Sequence, residues 1–179
     1  MKMVHRYLVH RYFLALALLL TSCGENQVRQ KDKSDSVSRA ENTSTSVPGI
    51  EKLSFTDTLL LAAGEDMHFD KELFRVKAGK KLHIILRNIA HKSPMAMTHN
   101  VVVLVPGTDL ADFAELARNA KAEQYVPSAV VSLIVAHTKL VSGGESDEVA
   151  FTIPQPGVYD FICSYPGHWG TMQGKIVAE

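Results

Sequence analysis

The run Cys163-Ser164-Tyr165-Pro166-Gly167-His168-Trp169-Gly170-Thr171-Met172 puts a thiol, an imidazole and a thioether within ten residues of one another. The spacing is Cys-x4-His-x3-Met, and the combination is chemically narrow. Thiolate, imidazole and thioether together suit a copper ion that passes between Cu(I) and Cu(II), whereas zinc or calcium has little use for the thioether. A fourth donor, a second histidine, has to come from elsewhere in the chain.

The segment leading into this run reads as a strand. Along residues 158–163, Tyr159, Phe161 and Cys163 fall on one face and Val158, Asp160 and Ile162 on the other, the period-two alternation of extended chain. Gln155-Pro156-Gly157 is a turn before it. Residues 148–153 also alternate, with Val149, Phe151 and Ile153 on one face. Further extended stretches are residues 53–61, 73–77, 82–88 and 175–178. Residues 100–105 are nearly continuous Val, as in a strand buried on both faces or a core strand under a loop. Seven or eight short strands punctuated by turns predict an all-β fold, a two-sheet antiparallel Greek-key β-sandwich. Residues 109–124 differ: Leu110, Phe113, Leu116, Ala117 and Ala120 recur at helical spacing, Asp109 can cap the start, and Pro127 lies beyond the end. One helix inserted between strands is expected there, its apolar stripe packed on the core.

The N-terminal part is not globular. Residues 1–22 carry Lys2, Arg6 and Arg11, no acids, and an apolar run from residue 12 to residue 20. The run is short for a membrane span and suits the hydrophobic region of a signal peptide. It ends in Leu20-Thr21-Ser22-Cys23, which resembles a bacterial lipobox and implies cleavage before Cys23 and lipidation of its thiol; the other reading is an ordinary signal peptide followed by a stray Cys. Residues 23–50 then form a polar tether of Gln, Lys, Asp, Ser, Asn and Thr, with too little apolar surface to offset its ordering entropy. The folded domain is residues 51–179. The chain is 179 residues long, 46% hydrophobic and 21% charged, with a formal net charge of +0. The domain has 12 Lys and Arg against 15 Asp and Glu, a formal −3, which argues against nucleic acid and against strong electrostatic steering.

The chain has two cysteines. If Cys23 is an anchor, Cys163 has no partner for a disulfide, and a lone thiol outside the cytoplasm is exposed to oxidation unless a metal holds it. The alternative, an inert buried thiol, does not account for His168 and Met172 beside it. Of the eight histidines, His5 and His10 go with the leader, and His68, His83, His91 and His137 stand in ordinary polar or strand contexts. His99 heads the Val-rich strand, where a sandwich can carry a rigid donor to a C-terminal loop.

Met97-Thr98-His99-Asn100, Val135-Ala136-His137-Thr138-Lys139-Leu140, Ser142-Gly143-Gly144-Glu145-Ser146-Asp147 and the Cys163–Met172 run occur in an order that resembles the azurins. These are cupredoxins, small blue copper electron carriers with a β-sandwich fold, and the similarity spans roughly residues 59–177. It implies His99, Cys163 and His168 as trigonal ligands of one type 1 copper per chain, with Met172 as the long axial ligand. The carbonyl of Thr98 falls where azurins offer a weak opposite axial oxygen; azurins usually have Gly there, and a Thr has narrower backbone freedom. Asn100 matches an Asn that hydrogen-bonds across to the ligand loop and orients it. Three departures stand out. The cysteines of the azurins' N-terminal disulfide are absent, Val101 stands where the family has a buried Trp, and Asn88 replaces a His that titrates near the site.

The resemblance implies a single-electron carrier, not an enzyme. It has no small-molecule substrate and serves transient redox partners such as c-type cytochromes or copper reductases. Pro94, Met95 and Trp169 are candidates for an apolar rim around a solvent-facing edge of His168, or else ordinary loop packing. The alternative function is a copper-binding module for storage or delivery. A multicopper oxidase or nitrite reductase needs a further copper site, and Ile162 and Ser164, not histidines, flank Cys163. The leader implies an exported protein, lipid-anchored to a bacterial membrane with its domain in the periplasm. Gly24 is not the Asp associated with inner-membrane retention, which favours the outer membrane.

Overall fold

The computed structural model describes residues 47–91 and 97–179. The expectations for residues 1–22, for Cys23 and for most of the tether lie outside the described residues, as do Pro94 and Met95. Among the described residues no helix is long and apolar enough to cross a membrane.

Alternating side chains make the strands. In β3 (Lys81–Asn88) the inward residues Leu82, Ile84 and Leu86 are fully buried while their neighbours face outward, as a two-residue period requires. β1 (Thr58–Ala63) buries Leu59, Leu61 and Ala63 the same way, and β6 (Ser146–Thr152) buries Phe151. These three form one sheet in the order β1-β3-β6. The second sheet has five strands in the order β2-β8-β7-β4-β5, from β2 (Leu73–Val76), β4 (Val102–Leu104), β5 (Ile134–His137), β7 (Gly157–Ile162) and β8 (Gln173–Ala178). Phe74, Val76, Val103, Tyr159, Phe161, Ile176 and Ala178 of the second sheet share one core with the first. Burial of each large side chain there contributes about 1.5–3 kcal/mol.

The sheets are mixed, which corrects the antiparallel expectation. β1 pairs with β3 in parallel, and so does β2 with β8. β2 crosses to the other sheet between β1 and β3, so β3 returns to its first neighbour in the same direction, as a crossover demands. β5 is the strand that the pattern did not announce: it is four residues long and pairs with β4 across an irregularity at Val103 and Leu104.

β4 is buried on both faces. Val103 points into the main core, while Val102 and Leu104 join Ile162 of β7 in a second cluster with Phe113 and Ala117 of α1 (Leu110–Asn119). The inserted helix thus covers the outer face of the five-stranded sheet. Asp109 caps it, its carboxylate accepting from the amides of Ala111 and Asp112 at 2.9 Å, worth about 1 kcal/mol. The helix stops at Asn119 and does not run to Gln124. Residues Lys121–Glu123 make a single 3-10 turn, and Gln124 and Tyr125 turn into left-handed backbone.

Candidate metal centre

β7 delivers Cys163 and β8 begins just after Met172, so the loop between them is a closed hairpin tip. The Cys163 amide donates to the Met172 carbonyl at 2.9 Å and fastens its base. Within it the amides of Thr171 and Met172 donate to the His168 carbonyl at 3.1 and 2.9 Å, and the His168 amide donates to the Tyr165 carbonyl at 3.1 Å. Gly167 turns the chain at φ 87°, a conformation glycine adopts without a Cβ penalty. Ten residues therefore fold back tightly enough to bury Cys163 and Met172 completely and leave His168 only 5% exposed.

His99 reaches the same place from the opposite side. It forms an isolated bridge with Val141, amide to carbonyl in both directions at 3.1 and 2.8 Å. Asn88, at the end of β3, ties this region together: its Nδ2 donates to the carbonyls of Met97 at 2.6 Å and Val141 at 2.9 Å, and its Oδ1 accepts from the Ala90 amide at 3.0 Å. Asn100 spans from the strand to the loop. Its Oδ1 accepts from the Ser164 amide and its Nδ2 donates to Ser164 Oγ, both at 2.9 Å.

The donor atoms of His99, Cys163 and His168 lie within 4.8 Å of one another, and Cys163 Sγ is 3.7 Å from His168 Nδ1. Among the described residues these three make the one cluster of His, Cys, Asp or Glu compact enough to hold a metal ion. His99 Nε2 faces the Gly64 carbonyl at 3.1 Å, which fixes a proton on Nε2 and leaves the lone pair on Nδ1. That Nδ1 is the sole buried side-chain nitrogen or oxygen among the described residues without a hydrogen-bond partner. A buried acceptor left unpaired costs about 1–3 kcal/mol, and a metal ion in the cluster would take up its lone pair. The donor set fits copper.

Burial sets the protonation of the metal-free cluster. It pushes the Cys163 thiol up from 9.0 to about 11, with amide N–H groups of Asn100 and Tyr165 pulling the other way. Burial, then repulsion from His99, brings His168 down from 6.5 to about 4. His99 is also lowered, again by burial, against the opposing pull of the Gly64 carbonyl and Asp66. The cluster thus rests as a neutral thiol between neutral imidazoles.

The structure brings together His99, Cys163 and His168, has Met172 buried at the base of the same loop, and leaves His68, His83 and His137 outside. His83 Nδ1 meets Glu148 at 2.8 Å, and the rings of His68 and His137 bond backbone carbonyls. Thr98 is half-buried beside His99. His168, expected to present one edge to the surface, is 5% exposed, and the Tyr165 ring packs against it at 4.8 Å, tilted by 43°. Trp169 is half-buried against the cluster beneath α1 and does not stand free at a rim. Asn88 and Tyr125 contribute to the site in ways that residue type and spacing did not signal.

Residues 56–179 match the model of the copper binding proteins of the plastocyanin/azurin family. Auracyanin-A of Chloroflexus aurantiacus is 36% identical over 118 residues, covering 65% of this chain and 70% of that protein. An azurin of Achromobacter denitrificans is 36% identical over 109 residues, 59% of this chain and 72% of its own length. Among solved structures, dithionite-reduced auracyanin from the photosynthetic bacterium Roseiflexus castenholzii superposes with a TM-score of 0.64 at 31% identity, over 70% of this chain and 99% of that one. Auracyanin A of Chloroflexus aurantiacus, described as a blue copper protein, gives 0.61 at 34% identity, over 70% of this chain and all of that one.

Proposed function

The chain belongs to the plastocyanin/azurin family of copper-binding proteins, and on that premise we propose that His99, Cys163, His168 and Met172 hold its copper. The protein is an electron carrier with one blue copper per chain, and it is not an enzyme. Bound copper supplies a one-electron couple between Cu(I) and Cu(II). The observation that carries the ligand assignment is the unpartnered buried Nδ1 of His99, in a cluster with a thiol and a second imidazole.

The residues around the donors do the rest. Gly64 fixes the His99 tautomer, Asn100 joins the strand to the loop, and the Cys163–Met172 pairing closes the loop. Donors held in this way move little when the charge between them changes, which keeps the cost of electron transfer low. Complete burial of His99, Cys163 and Met172 keeps bulk water from the donors. It also disfavours a storage or delivery role, which needs donors open to exchange. The Thr98 carbonyl, next to His99, is a proposed fifth contact.

The finer biological setting is also a proposal. Lys2, Arg6 and Arg11 before the apolar run, and Leu20-Thr21-Ser22-Cys23 after it, support export and lipidation of Cys23. The domain would then work in the periplasm on a membrane tether, preferably at the outer membrane. Its redox partners would be of the c-type cytochrome or copper reductase kind.

Absorption and paramagnetic-resonance spectra of the copper-loaded domain test the site. An intense thiolate-to-copper band is expected, and Cys163→Ser should abolish it; full colour in that variant would overturn the assignment. For the anchor, Cys23→Ser should release the protein from membranes in the native host, and unchanged membrane association would refute lipidation.

A further inference from the structure

Among the described residues three non-glycine positions have positive φ: Met67 at 53°, Gln124 at 56° and Tyr125 at 61°. Left-handed backbone costs a residue with a Cβ about 1–2 kcal/mol, and it persists only where the surroundings fix it. Two of the three direct their carbonyls at the same loop. Thr171 Oγ1 donates to the Met67 carbonyl at 2.7 Å, and Ser164 Oγ donates to the Tyr125 carbonyl at 2.7 Å. Ser164 follows Cys163, and Thr171 precedes Met172. The two hydroxyls therefore sit just inside the two ends of the donor loop.

Each post also reaches a second part of the centre. The Met67 amide donates to the Gly64 carbonyl at 3.4 Å, and that carbonyl also takes His99 Nε2. One short turn thus holds His99 on one side and Thr171 on the other. On the other flank the Tyr125 ring stands edge-on to Tyr165 at 5.1 Å and 71°, and Tyr165 lies against His168. The Ser164 hydroxyl has a single proton. It goes to Tyr125 at 2.7 Å, while the oxygen accepts from Asn100 Nδ2, so the Tyr125 carbonyl completes the strand-to-loop bridge.

We propose that Met67 and Tyr125 are positioning residues of the copper centre: strained backbone posts that clamp both ends of the donor loop. The inference rests on the copper reading above. In sequence the posts are 104 and 39 residues from the hydroxyls they hold. They act through their carbonyls, so what matters at Met67 is its left-handed backbone and not its exposed side chain.

That distinction supplies the test. Thr171→Val and Ser164→Ala remove the hydroxyls, and Thr171→Ser and Ser164→Thr restore them. Met67→Gly keeps left-handed backbone accessible, whereas Met67→Val disfavours it through its branched Cβ. The readouts are the rate at which copper passes from the loaded protein to a chelator and the copper hyperfine splitting in the paramagnetic-resonance spectrum. Loss of a group that orients a metal ligand costs about 10–100-fold in metal affinity. Thr171→Val, Ser164→Ala and Met67→Val should therefore speed transfer about tenfold and change the splitting, while the two rescues and Met67→Gly stay within about twofold of wild type. Should Thr171→Val or Ser164→Ala fail to fold, the Met67 pair at an exposed position carries the comparison. Equal transfer rates and splittings for Met67→Gly and Met67→Val would overturn the clamp alone, since wild type would still hold its copper. A wild-type chain that takes up no copper would overturn the copper reading and the clamp together.

Discussion

Loading the metal-free protein with copper at pH 7 is expected to release one proton per ion, and that proton comes from Cys163. Sulfur binds the metal as thiolate, so the thiol proton must leave. With burial holding the thiol at about 11, four units above neutral pH, about one molecule in ten thousand carries thiolate beforehand. The imidazoles add nothing, because His168 sits at about 4 and His99 is lowered as well. A metal that displaces one proton binds tighter as pH rises, by tenfold per unit while the thiol is protonated and the imidazoles are neutral. Between about pH 6.5 and about pH 8 the apparent affinity should rise about 30-fold, or about 2 kcal/mol at about 1.36 kcal/mol per unit. Below about pH 4 protonation of His168 adds a second competitor and steepens the dependence. Titration calorimetry in buffers of different ionisation enthalpy counts the protons directly. A count near zero at pH 7 would mean a preformed thiolate, and a count near two would mean a protonated imidazole. Either result would refute the claim that burial governs the cluster.

The same shifts bear on the metal-free fold. His168 is depressed, so the unfolded chain takes up its proton first and stability falls as pH drops from about 6.5 toward 4; Cys163 is raised, so stability also falls as pH climbs past about 9. Thermal midpoints of the metal-free protein should peak between these limits, and a midpoint flat across pH 4–6.5 would contradict this. Asn88→Leu removes the Asn88 donor from the Met97 carbonyl and one of the two donors of the Val141 carbonyl, which keeps the His99 amide, and should cost about 1–2 kcal/mol in urea unfolding; no measurable loss would show that the Met97 carbonyl finds another partner. In Gly174→Ala the new Cβ would lie 2.3 Å from Phe161 Cζ and 2.5 Å from the Glu72 carbonyl, so a loss of about 2 kcal/mol or more is expected, and an unchanged denaturation midpoint would refute the packing. Met172→Leu should keep the blue absorption and raise the reduction potential, because a weaker donor stabilises Cu(II) less; voltammetry showing a lower potential would count against Met172 as a donor.

What could be read from the sequence is what is local in it. Cys163, His168 and Met172 share one hairpin tip, so their spacing alone displays the chemistry, and the strand leading in declares its faces by alternation. His99 was reachable because it heads a strand whose neighbours resemble those of the azurins. Parallel pairing of β1 with β3 was not legible, because direction depends on β2 crossing between sheets, and no residue pattern records that. The end of the helix is concealed for a related reason. Helical spacing continues to Ala120 and beyond in residue type, yet the chain leaves the helix at Asn119 and is in left-handed backbone by Tyr125.

Asn88 shows the limit of reading by substitution. Beside the azurins it is a missing titratable group; in the structure it is a three-way clasp on Met97, Val141 and Ala90 that holds His99 in place. An amide can donate twice and accept at once, with no proton to lose near neutral pH, so the exchange removes a titration and retains a structural junction. Left-handed backbone is ordinarily inferred from Gly or Asn, and neither Met67 nor Tyr125 gives such a signal. In each the carbonyl accepts from a hydroxyl distant in sequence, Thr171 for Met67 and Ser164 for Tyr125, and the Tyr125 ring also packs on Tyr165. The donors are thus written within ten residues, whereas their rigidity is spread over segments that meet only once the two sheets have closed.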